Sequence, residues 1–389
     1  MITMTQTMRW YGPHDIISLK ELKQAGITGI VTALHQIPVG DIWEKKDIME
    51  RVDMIRKAGM DWKVIESLPV HEDIKRRNGN YEEYIENYKI SLRNVADCGL
   101  EVVTYNFMPI LDWLRTDHHH ELEDGSSVLR YDPLKFAFFD LFLLKREHAE
   151  NDYAPETISA AVELGNSMSQ EDKDRLFRNI LLGLPGSDEN FTPQIIKEQL
   201  AAYANISDEQ LRENMIHFLS EVAPVAEEVG LKLAVHPDDP PFSVLGLPRV
   251  VSSGEDIERI LKEVDIPANG LCFCTGSLGA RPANDLLKIF NDHKDRVHFL
   301  HLRNVSREAS GVFHESPHLD GDVPMNQIVK SILQHMNDKK ISLPMRPDHG
   351  YLHSAEAHKN YYPGYSLIGR LKGLAELRGL ELGLQETIN

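Results

Sequence analysis

The chain has 389 residues, of which 42% are hydrophobic and 26% are charged, and its formal net charge at pH 7 is −18. This composition is typical of a folded globular protein and excludes an intrinsically disordered chain. The negative charge argues against non-specific binding to nucleic acid or to an anionic membrane, because both need a basic protein surface. An anionic small molecule remains compatible with a locally basic pocket.

The cysteines and the N-terminal residues indicate the cellular compartment. Cys98, Cys272 and Cys274 are an odd and sparse set that fits a reducing environment better than a disulfide framework. The first residues, MITMTQTMRWYG, lack the basic start and the apolar run of a signal peptide. No stretch approaches the roughly 18 consecutive apolar residues that a membrane span needs. We therefore expect a cytoplasmic protein with no nucleic-acid partner and no membrane partner.

Strand and helix patterns alternate in the N-terminal part of the chain. Predicted strands occupy residues 8–12, 29–34, 62–67 and 101–108, and predicted helices occupy residues 15–25, 44–58 and 81–96. Asp15 is the expected N-cap of the first helix. A unit that repeats roughly every 30 residues in this order predicts βα units and a parallel sheet.

The alternation stops after the fourth predicted strand. Residues 112–214 contain polar, mainly helical patterns and no strand of comparable quality, so we interpret them as a helical insertion. The run His118, His119 and His120 lies within this insertion. Adjacent histidines cannot all point at one ion, so a solvated loop is favoured over a metal site there.

The alternation resumes in the C-terminal half. Predicted strands five to eight cover residues 233–239, 270–276, 297–304 and 343–350, each followed by a helical pattern. Eight strands with intervening helices predict an α/β fold, a (β/α)8 TIM barrel with a helical insertion after strand 4, as a single domain over residues 1–389. A doubly wound open sheet is the alternative, weakened by the absence of G-x-G-x-x-G after the first strand.

Four consecutive predicted strands end in side chains that can bind a metal: His236, Cys274, His301 and Asp348. In a barrel the carboxyl ends of the strands meet at one mouth, so these side chains converge. Two imidazoles, one thiolate and one carboxylate suit Mn, Fe, Co or Zn and argue against Mg or Ca, which prefer oxygen ligands. Taken singly, Cys274 can be a buried core residue and each histidine a hydrogen-bonded one.

At these residues the chain resembles the mannonate dehydratase family, lyases of the xylose-isomerase-like barrels. The shared motifs are HPDDPP, CTGSLG, HLRNV, FHESPHLDGDVPM and RPDHG, with WYGP near the N-terminus and YPGYSLIGRLKGLAEL near the C-terminus. The resemblance covers nearly the whole chain. It implies a hydro-lyase that converts D-mannonate to 2-keto-3-deoxy-D-gluconate in hexuronate (glucuronate) catabolism. It also implies Mn²⁺ or Fe²⁺ held by His236, Cys274, His301 and Asp348, and a homodimer or larger homo-oligomer.

The expected reaction removes the proton α to a carboxylate and expels the neighbouring hydroxyl. Arg303, one inward step beyond His301, is the expected bidentate partner of the substrate carboxylate, with a salt bridge to Asp348 or Glu315 as the alternative. His349 and Tyr362 are the expected proton-transfer groups. Alternatively, His349 orients Asp348 and the tyrosine only packs its loop.

Side chains at the ends of strands one to four are expected to contact the polyol chain of the substrate. This expectation is positional and covers Trp10, His35, Glu66 and Asn106.

Three other functions compete. A sugar isomerase or epimerase on the same barrel would use similar ligands but usually more carboxylates and no thiolate. A metal-dependent endonuclease conflicts with the negative charge and the absence of a basic stripe. A non-catalytic sugar-binding protein would need no metal.

Overall fold

The structure is a computed structural model that describes residues 2–182 and 193–388. Its strands are Thr5–Arg9 (β1), Gly29–Thr32 (β2), Asp61–Glu66 (β3), Val102–Tyr105 (β4), Asp117–Glu121 (β5), Ser127–Tyr131 (β6), Lys232–Val235 (β7), Asn269–Cys274 (β8), Val297–His301 (β9), Asn304–Arg307 (β10), Phe313–Ser316 (β11) and Pro344–Arg346 (β12).

The α-helices of the described residues are Leu19–Gln24 (α1), Lys45–Lys57 (α2), Glu72–Arg76 (α3), Tyr81–Asp97 (α4), Pro133–Phe138 (α5), Pro155–Ser167 (α6), Gln170–Ile180 (α7), Pro193–Tyr203 (α8), Asp208–Glu228 (α9), Gly254–Glu263 (α10), Thr275–Gly279 (α11), Leu286–His293 (α12), Met325–Lys339 (α13) and Leu367–Ile388 (α14). A π-helical segment, Phe139–Leu144, follows α5. Within residues 2–182 and 193–388, no helix combines the length and apolar character needed to cross a membrane.

Eight parallel strands close into a barrel in the order β1-β12-β9-β8-β7-β4-β3-β2. Closure is direct, because β1 pairs with β2 on one side and with β12 on the other. Every residue of β2, β4 and β8 is buried, which explains why these strands read as continuous apolar runs. The predicted TIM barrel is therefore confirmed, and the open-sheet alternative is wrong.

The barrel interior beneath the mouth is filled with apolar side chains. One compact group, contributed by six strands, consists of Val31, Val64, Val102, Ala234, Cys272 and Phe299. Phe299 precedes His301 by two residues on β9, so both side chains point inward, and their ring centroids lie 4.7 Å apart. The predicted ligands at the mouth therefore lie directly above a layer of packed apolar side chains.

The insertion after β4 is mainly helical, as predicted, with α5 to α8 and the π-helical segment, but the expectation that it contains no strand is wrong. Its residues form β5 and β6, an antiparallel hairpin, and β6 also pairs with β11 from the loop after β9. The result is a second sheet, ordered β10-β11-β6-β5. The sequence pattern did not reveal these strands because β11, which pairs with β6, lies far along the chain. Residues 183–192 of the insertion lie outside the described residues, and the single-domain organisation stays a prediction.

The triple histidine run is a strand rather than a solvated loop. His118 on β5 is only 7% exposed, and its ring stacks on Trp113 at a centroid distance of 5.5 Å. His119 is exposed and His120 is partly buried, as expected when successive side chains alternate between faces.

The start of the first helix also differs from the prediction. Ser18 is the N-cap of α1 and forms a capping box with Glu21. The carboxylate of Asp15 instead accepts hydrogen bonds from the backbone N–H groups of Tyr11 (2.7 Å) and Ile17 (2.9 Å). Asp15 therefore orders the turn after β1, which carries Tyr11 to the barrel mouth.

A pH-dependence prediction follows from His298, near the start of β9. The ring is 7% exposed and its Nε2–H donates to the carbonyl of Pro267 at 3.1 Å. Burial, assisted by Lys232, lowers the pKa of His298 to about 4. Because the unfolded state takes up a proton below pH 6.5 and the folded state does not, this residue removes about 2 kcal/mol of stability between pH 7 and pH 5.

Urea unfolding of the wild type and His298→Gln at both pH values measures this effect. Glutamine keeps a donor for the carbonyl but does not titrate, so the variant should lose about 2 kcal/mol less than the wild type over this interval. Equal losses in the two proteins would contradict the prediction.

Candidate metal centre and active site

The structure brings the four predicted ligands together at the mouth of the barrel. His236 follows β7, Cys274 ends β8, His301 ends β9 and Asp348 lies two residues beyond β12. These strands are consecutive neighbours in the barrel, and Cys274 pairs in register with His301. Adjacent parallel strands that end at the same level place their last side chains next to one another.

The donor atoms lie within the span of one metal ion. Ligand atoms of His236, Cys274 and His301 are all within 4.8 Å of one another. The Oδ2 atom of Asp348 lies 3.8 Å from both the Cys274 Sγ and the His301 Nδ1. Three of the predicted ligands thus form a compact set, and the fourth lies at its edge.

His236 is oriented by its own loop. Its backbone N–H donates to the Tyr105 carbonyl at 2.8 Å, and its Nδ1–H donates to the Pro237 carbonyl at 2.7 Å, which leaves Nε2 as the ring nitrogen that faces Cys274. Burial lowers the pKa of His236, but the hydrogen bond to Cys274 and the charge of its thiolate outweigh burial and raise the pKa to about 9. The ring is thus paired with a thiolate.

Cys274 is held as a thiolate by its surroundings. Burial raises the pKa of the thiol, but the charge of Arg303 and the neighbouring His236 and His301 rings outweigh burial and bring it well below its usual range. The Ser277 N–H donates to the Sγ atom at 3.5 Å, and the Ser277 hydroxyl lies 3.2 Å from it. A deprotonated thiol is the form that binds metals.

His301 is fully buried and keeps one ring nitrogen without a partner. Its Nε2 lies 3.0 Å from the Arg346 Nε and 3.4 Å from the Glu66 Oε1, and a proton on Nε2 directed at Glu66 leaves the lone pair on Nδ1, which has no hydrogen-bond partner among the described residues. That Nδ1 faces Asp348. Burial raises the pKa of the Asp348 carboxyl, but Arg346, His349 and His301 outweigh burial and hold it well below its usual range.

The charges around these ligands fit a bound divalent cation. Buried arginines at the mouth contact buried carboxylates and the thiolate; the arginines are Arg9, Arg115, Arg303 and Arg346, and the anions are Glu66, Asp239, Glu315, Asp348 and Cys274. Four arginines face five anions, so the cluster carries one negative charge that either a proton on His236 or a bound metal ion can balance. The excess negative charge, the partnerless Nδ1 of His301 and the N, S and O donors together fit a transition-metal ion.

Arg303 lies at the centre of this ionic network. Its guanidinium contacts the carboxylates of Asp239 and Glu315, and its Nε lies 2.9 Å from the Asp348 Oδ2. Asp239 and Glu315 also contact Arg115, at 2.6 and 3.2 Å. The side chain is 1% exposed. These contacts favour the salt-bridge interpretation of Arg303, and its predicted role as a substrate-carboxylate ligand stays untested.

The cavity above the ligands has a volume of about 60 Å³. Its lining includes Arg9, Tyr11, Glu66, Asn106, Asp112, Trp113, His236, Asp239, Arg303, Arg346, Asp348, His349 and Tyr365. Asn106 and Glu66 thus lie where the sequence predicted them. His35 instead lines an adjoining cleft of about 510 Å³, which shares Ser67, Asn106 and Asp112 with the smaller cavity.

Trp10 does not line this cavity, which corrects its predicted position by one residue. Side chains alternate along β1 and its extension, so Arg9 and Tyr11 face the mouth while Trp10 packs into the surrounding core, with the Arg51 guanidinium 5.4 Å from its ring. Applying that alternation from Thr7 would have identified Tyr11.

The two predicted proton-transfer residues have different positions. His349 lines the cavity, is 6% exposed, and its Nδ1 lies 3.0 Å from the Glu315 Oε1. Tyr362 is 39% exposed and lines a separate cavity of about 240 Å³. Tyr365, three residues later, is the tyrosine of this loop at the site, with its ring centroid 5.0 Å from that of His349.

Other residues at the site carried no usable sequence signal. Arg115 and Trp113 come from the insertion, and no pattern showed that this segment returns to the barrel mouth. Trp113 packs edge-on against His349 at a centroid distance of 5.9 Å. Glu315 was considered only as a partner of Arg303.

A second group of possible metal donors in the described part of the chain is His120, Glu308 and His314 on the outer face of the small sheet. Arg130 contacts this group, with Nη2 2.9 Å from the Glu308 Oε2 and Nη1 3.2 Å from the His120 Nε2. A cation among the donors opposes binding of another, so we assign no metal there.

Comparison with solved structures first defines the class of the protein. A xylose isomerase-like TIM barrel protein from Mycobacterium smegmatis, solved in complex with magnesium, is 14% identical to this chain with a TM-score of 0.51, over 100% of this chain and 98% of that chain. At this identity the match concerns the fold alone. The chain thus shares the fold of a xylose isomerase-like TIM barrel.

The family is defined by closer relatives. The family description D-mannonate dehydratase (UxuA) matches residues 4–389. A mannonate dehydratase from Marinomonas sp. (strain MWYL1) is 49% identical over 99% of this chain and 100% of its own length. The corresponding protein of Saccharophagus degradans is 46% identical over 97% of both chains. The solved mannonate dehydratase of Streptococcus suis serotype 2 is 35% identical, with a TM-score of 0.78 over 100% of this chain and 95% of that one. The chain belongs to the D-mannonate dehydratase family.

The ionic network at the mouth generates a stability prediction. Asp239→Asn removes the charge that faces Arg115 and Arg303 in a buried position, so we expect a loss of about 3–5 kcal/mol in the free energy of unfolding. Urea unfolding at pH 7 measures it. Asp292→Asn, in the exposed Lys288–Asp292 pair, is the matched control and should leave the unfolding midpoint unchanged. Equal midpoints for the two variants would contradict the prediction.

Proposed function

We propose that this protein catalyses the dehydration of D-mannonate to 2-keto-3-deoxy-D-gluconate in hexuronate catabolism. The observation that carries the proposal is the convergence of His236, Cys274, His301 and Asp348 at the mouth of a D-mannonate dehydratase family barrel. The isomerase, endonuclease and sugar-binding alternatives are not favoured, because the relatives at 46% and 49% identity are both mannonate dehydratases.

The reaction breaks the C2–H and C3–O bonds of the substrate and releases water. The resulting enol gains a proton at C3 and becomes the 2-keto acid. A divalent ion, Mn²⁺ or Fe²⁺, would be held by His236, Cys274, His301 and Asp348 and would supply Lewis acidity toward the substrate carboxylate as negative charge develops beside it. The protein must still provide a base for C2, an acid for the C3 hydroxyl and contacts for the carboxylate.

His349 is the base in this proposal. Burial raises the pKa of the Glu315 carboxyl, but Arg303 and His349 outweigh burial and lower it to about 2, so the carboxylate can only accept hydrogen bonds. The Nδ1 of His349 lies 3.0 Å from this Oε1 and 3.2 Å from the Arg303 Nη1, and in the neutral tautomer that donates from Nδ1 to Glu315 the Nε2 carries no proton. That nitrogen can accept the proton from C2.

A tyrosine is the proposed proton donor to the departing C3 hydroxyl. Tyr362, named from the sequence, stays a prediction, but the geometry favours Tyr365 because it lines the cavity beside His349. The Tyr11 ring centroid lies 5.1 Å from that of Tyr365. Burial raises the pKa of both phenols, so both keep their protons at neutral pH and can donate hydrogen bonds.

Two arginines are candidates for the substrate carboxylate. Arg303 contacts three carboxylates, whereas Arg9 lines the same cavity and contacts the single carboxylate of Glu66 at 3.4 Å. Arg9 is therefore the better-placed candidate. The polyol chain, expected to contact Asn106, can extend into the adjoining cleft of about 510 Å³, where His35 lies.

The metal, the cellular compartment and the oligomeric state in this proposal are those expected from the sequence. The metal is Mn²⁺ or Fe²⁺, the protein is cytoplasmic, and it assembles as a homodimer or a larger homo-oligomer.

Metal removal tests the proposed function. Purified protein with Mn²⁺ and D-mannonate should form a 2-keto-3-deoxy acid, followed by a colorimetric assay. Dialysis against a chelator should abolish turnover, and Mn²⁺ or Fe²⁺ should restore it, because the developing charge at the carboxylate needs a Lewis acid. Full activity in metal-free protein would rule out the metal-dependent mechanism.

Two cysteine variants provide the matched control for the ligand set. Cys272 and Cys274 are both fully buried on β8 and share a face. Cys274→Ala should lose bound metal together with turnover, whereas Cys272→Ala should keep its metal content, measured by elemental analysis. A full metal complement in Cys274→Ala would make that cysteine a packing residue.

The role of His349 is tested separately. His349→Asn should retain bound metal while kcat falls by about 10²–10⁴-fold, because the base is lost and the ligands are kept. His358→Asn, on an exposed part of the same loop, is the control and should keep wild-type kcat. A near-normal kcat in His349→Asn would eliminate the residue as the base.

A further inference from the structure

The backbone of Asp348 has an unusual conformation. Its φ angle is +62°, in the left-handed region that few residues other than glycine adopt readily. The carboxylate reaches the Cys274 Sγ and the His301 Nδ1 from this conformation, at 3.8 Å each. A relaxed backbone with negative φ would direct the carboxylate elsewhere. Something in the surrounding structure must therefore hold this peptide unit.

The contact that holds it comes from His318, in the loop between β11 and α13. The His318 Nε2–H donates to the carbonyl of Pro347 at 2.6 Å. This carbonyl belongs to the peptide group that joins Pro347 to Asp348. Because a peptide group rotates as a plane, its orientation is coupled to the φ angle of Asp348. A hydrogen bond on this oxygen thus resists relaxation of Asp348.

His318 is itself firmly fixed. The side chain is 4% exposed, and the His318 carbonyl accepts a hydrogen bond from the Asn304 Nδ2 at 3.1 Å. The ring packs directly over Gly373 of α14, where an added Cβ atom would lie 2.1 Å from the His318 Cε1. The donor therefore has little freedom to move away from the Pro347 carbonyl.

We propose that His318 is a positioning residue that locks the left-handed backbone of Asp348 and so directs its carboxylate to the metal. The inference rests on the proposed function in that it takes Asp348 as a ligand. His318 does not touch the ligand atoms. It acts through the peptide group between Pro347 and Asp348. This role explains why the motif FHESPHLDGDVPM contains a buried histidine.

The chain contains a matched control for this role. His298 is also a buried histidine whose Nε2–H donates to a proline carbonyl, that of Pro267, and it also packs on a glycine, Gly270. It is the second residue of β9, and by the alternation of side chains along this strand it points away from the barrel interior in which the ligands lie. Replacing either histidine by leucine removes a similar hydrogen bond from a similar environment. Only His318 is connected to Asp348.

The experiment measures Mn²⁺ affinity, from the free-ion electron paramagnetic resonance signal, and thermal unfolding for four proteins. These are the wild type, His318→Leu, His318→Gln and His298→Leu. His318→Leu should weaken Mn²⁺ binding by about 10–100-fold. His318→Gln keeps an N–H that can reach the carbonyl, so it should stay within about 3-fold of the wild type. His298→Leu should lower the unfolding midpoint as much as His318→Leu does but leave the Mn²⁺ affinity unchanged.

Several outcomes would overturn the proposal. Wild-type Mn²⁺ affinity in folded His318→Leu, or no recovery in His318→Gln, would show that this hydrogen bond does not position Asp348. Equal weakening in His298→Leu would reduce the effect to general destabilisation. If His318→Leu does not fold, His318→Asn, which stays polar but is too short to reach, carries the same expectation. Failure of the wild type to bind either Mn²⁺ or Fe²⁺ would instead refute the metal dependence of the proposed function itself.

Discussion

The structure of the site depends on the neutralisation of one buried arginine. Arg303 is almost inaccessible to solvent, so its charge is tolerable only because Asp239, Glu315 and Asp348 surround it. Asp239 and Asp348 follow β7 and β12, Glu315 lies on β11, and the same arginine stabilises the Cys274 thiolate. The guanidinium therefore sets both the geometry and the charge state of the mouth. Gly276 permits this arrangement, because a Cβ atom there would lie 2.3 Å from the Arg303 Nε.

The barrel and the ligand set were predictable from the sequence because both follow from local regularity. Buried parallel strands give apolar runs of characteristic length, and their carboxyl ends must meet at one mouth. His236, Cys274, His301 and Asp348 therefore could be brought together without knowing any distance. Asn106 and Glu66 were placed at the cavity by the same argument.

The parts that the sequence did not reveal depend on contacts between distant segments. The small sheet pairs β6 with β11, which lie far apart in the chain, and β5 is polar. For these reasons neither β5 nor β6 showed a recognisable strand pattern in the sequence. Arg303 was expected to bind the substrate carboxylate, with a salt bridge to Asp348 or Glu315 as the alternative, and its contact with Asp239 was missed because that acid lies on another strand's loop. Trp10 and Tyr362 were predicted at the site but do not line the cavity. Which residue of each segment faces the cavity depends on the local register of the backbone, and the alternation of side chains along β1 would have corrected only the position of Trp10.

The small sheet has a consequence for how this enzyme can be altered. Two of its strands belong to the insertion after β4 and two to the loop after β9, and Glu315 on β11 is part of the active-site network. Shortening the insertion would remove β5 and β6 together and expose the edge of β11, inviting strand pairing between molecules. It would also remove Arg115, a counter-charge of Asp239 and Glu315. The insertion is therefore not a modular appendage that can be trimmed or exchanged between barrels without rebuilding the catalytic mouth.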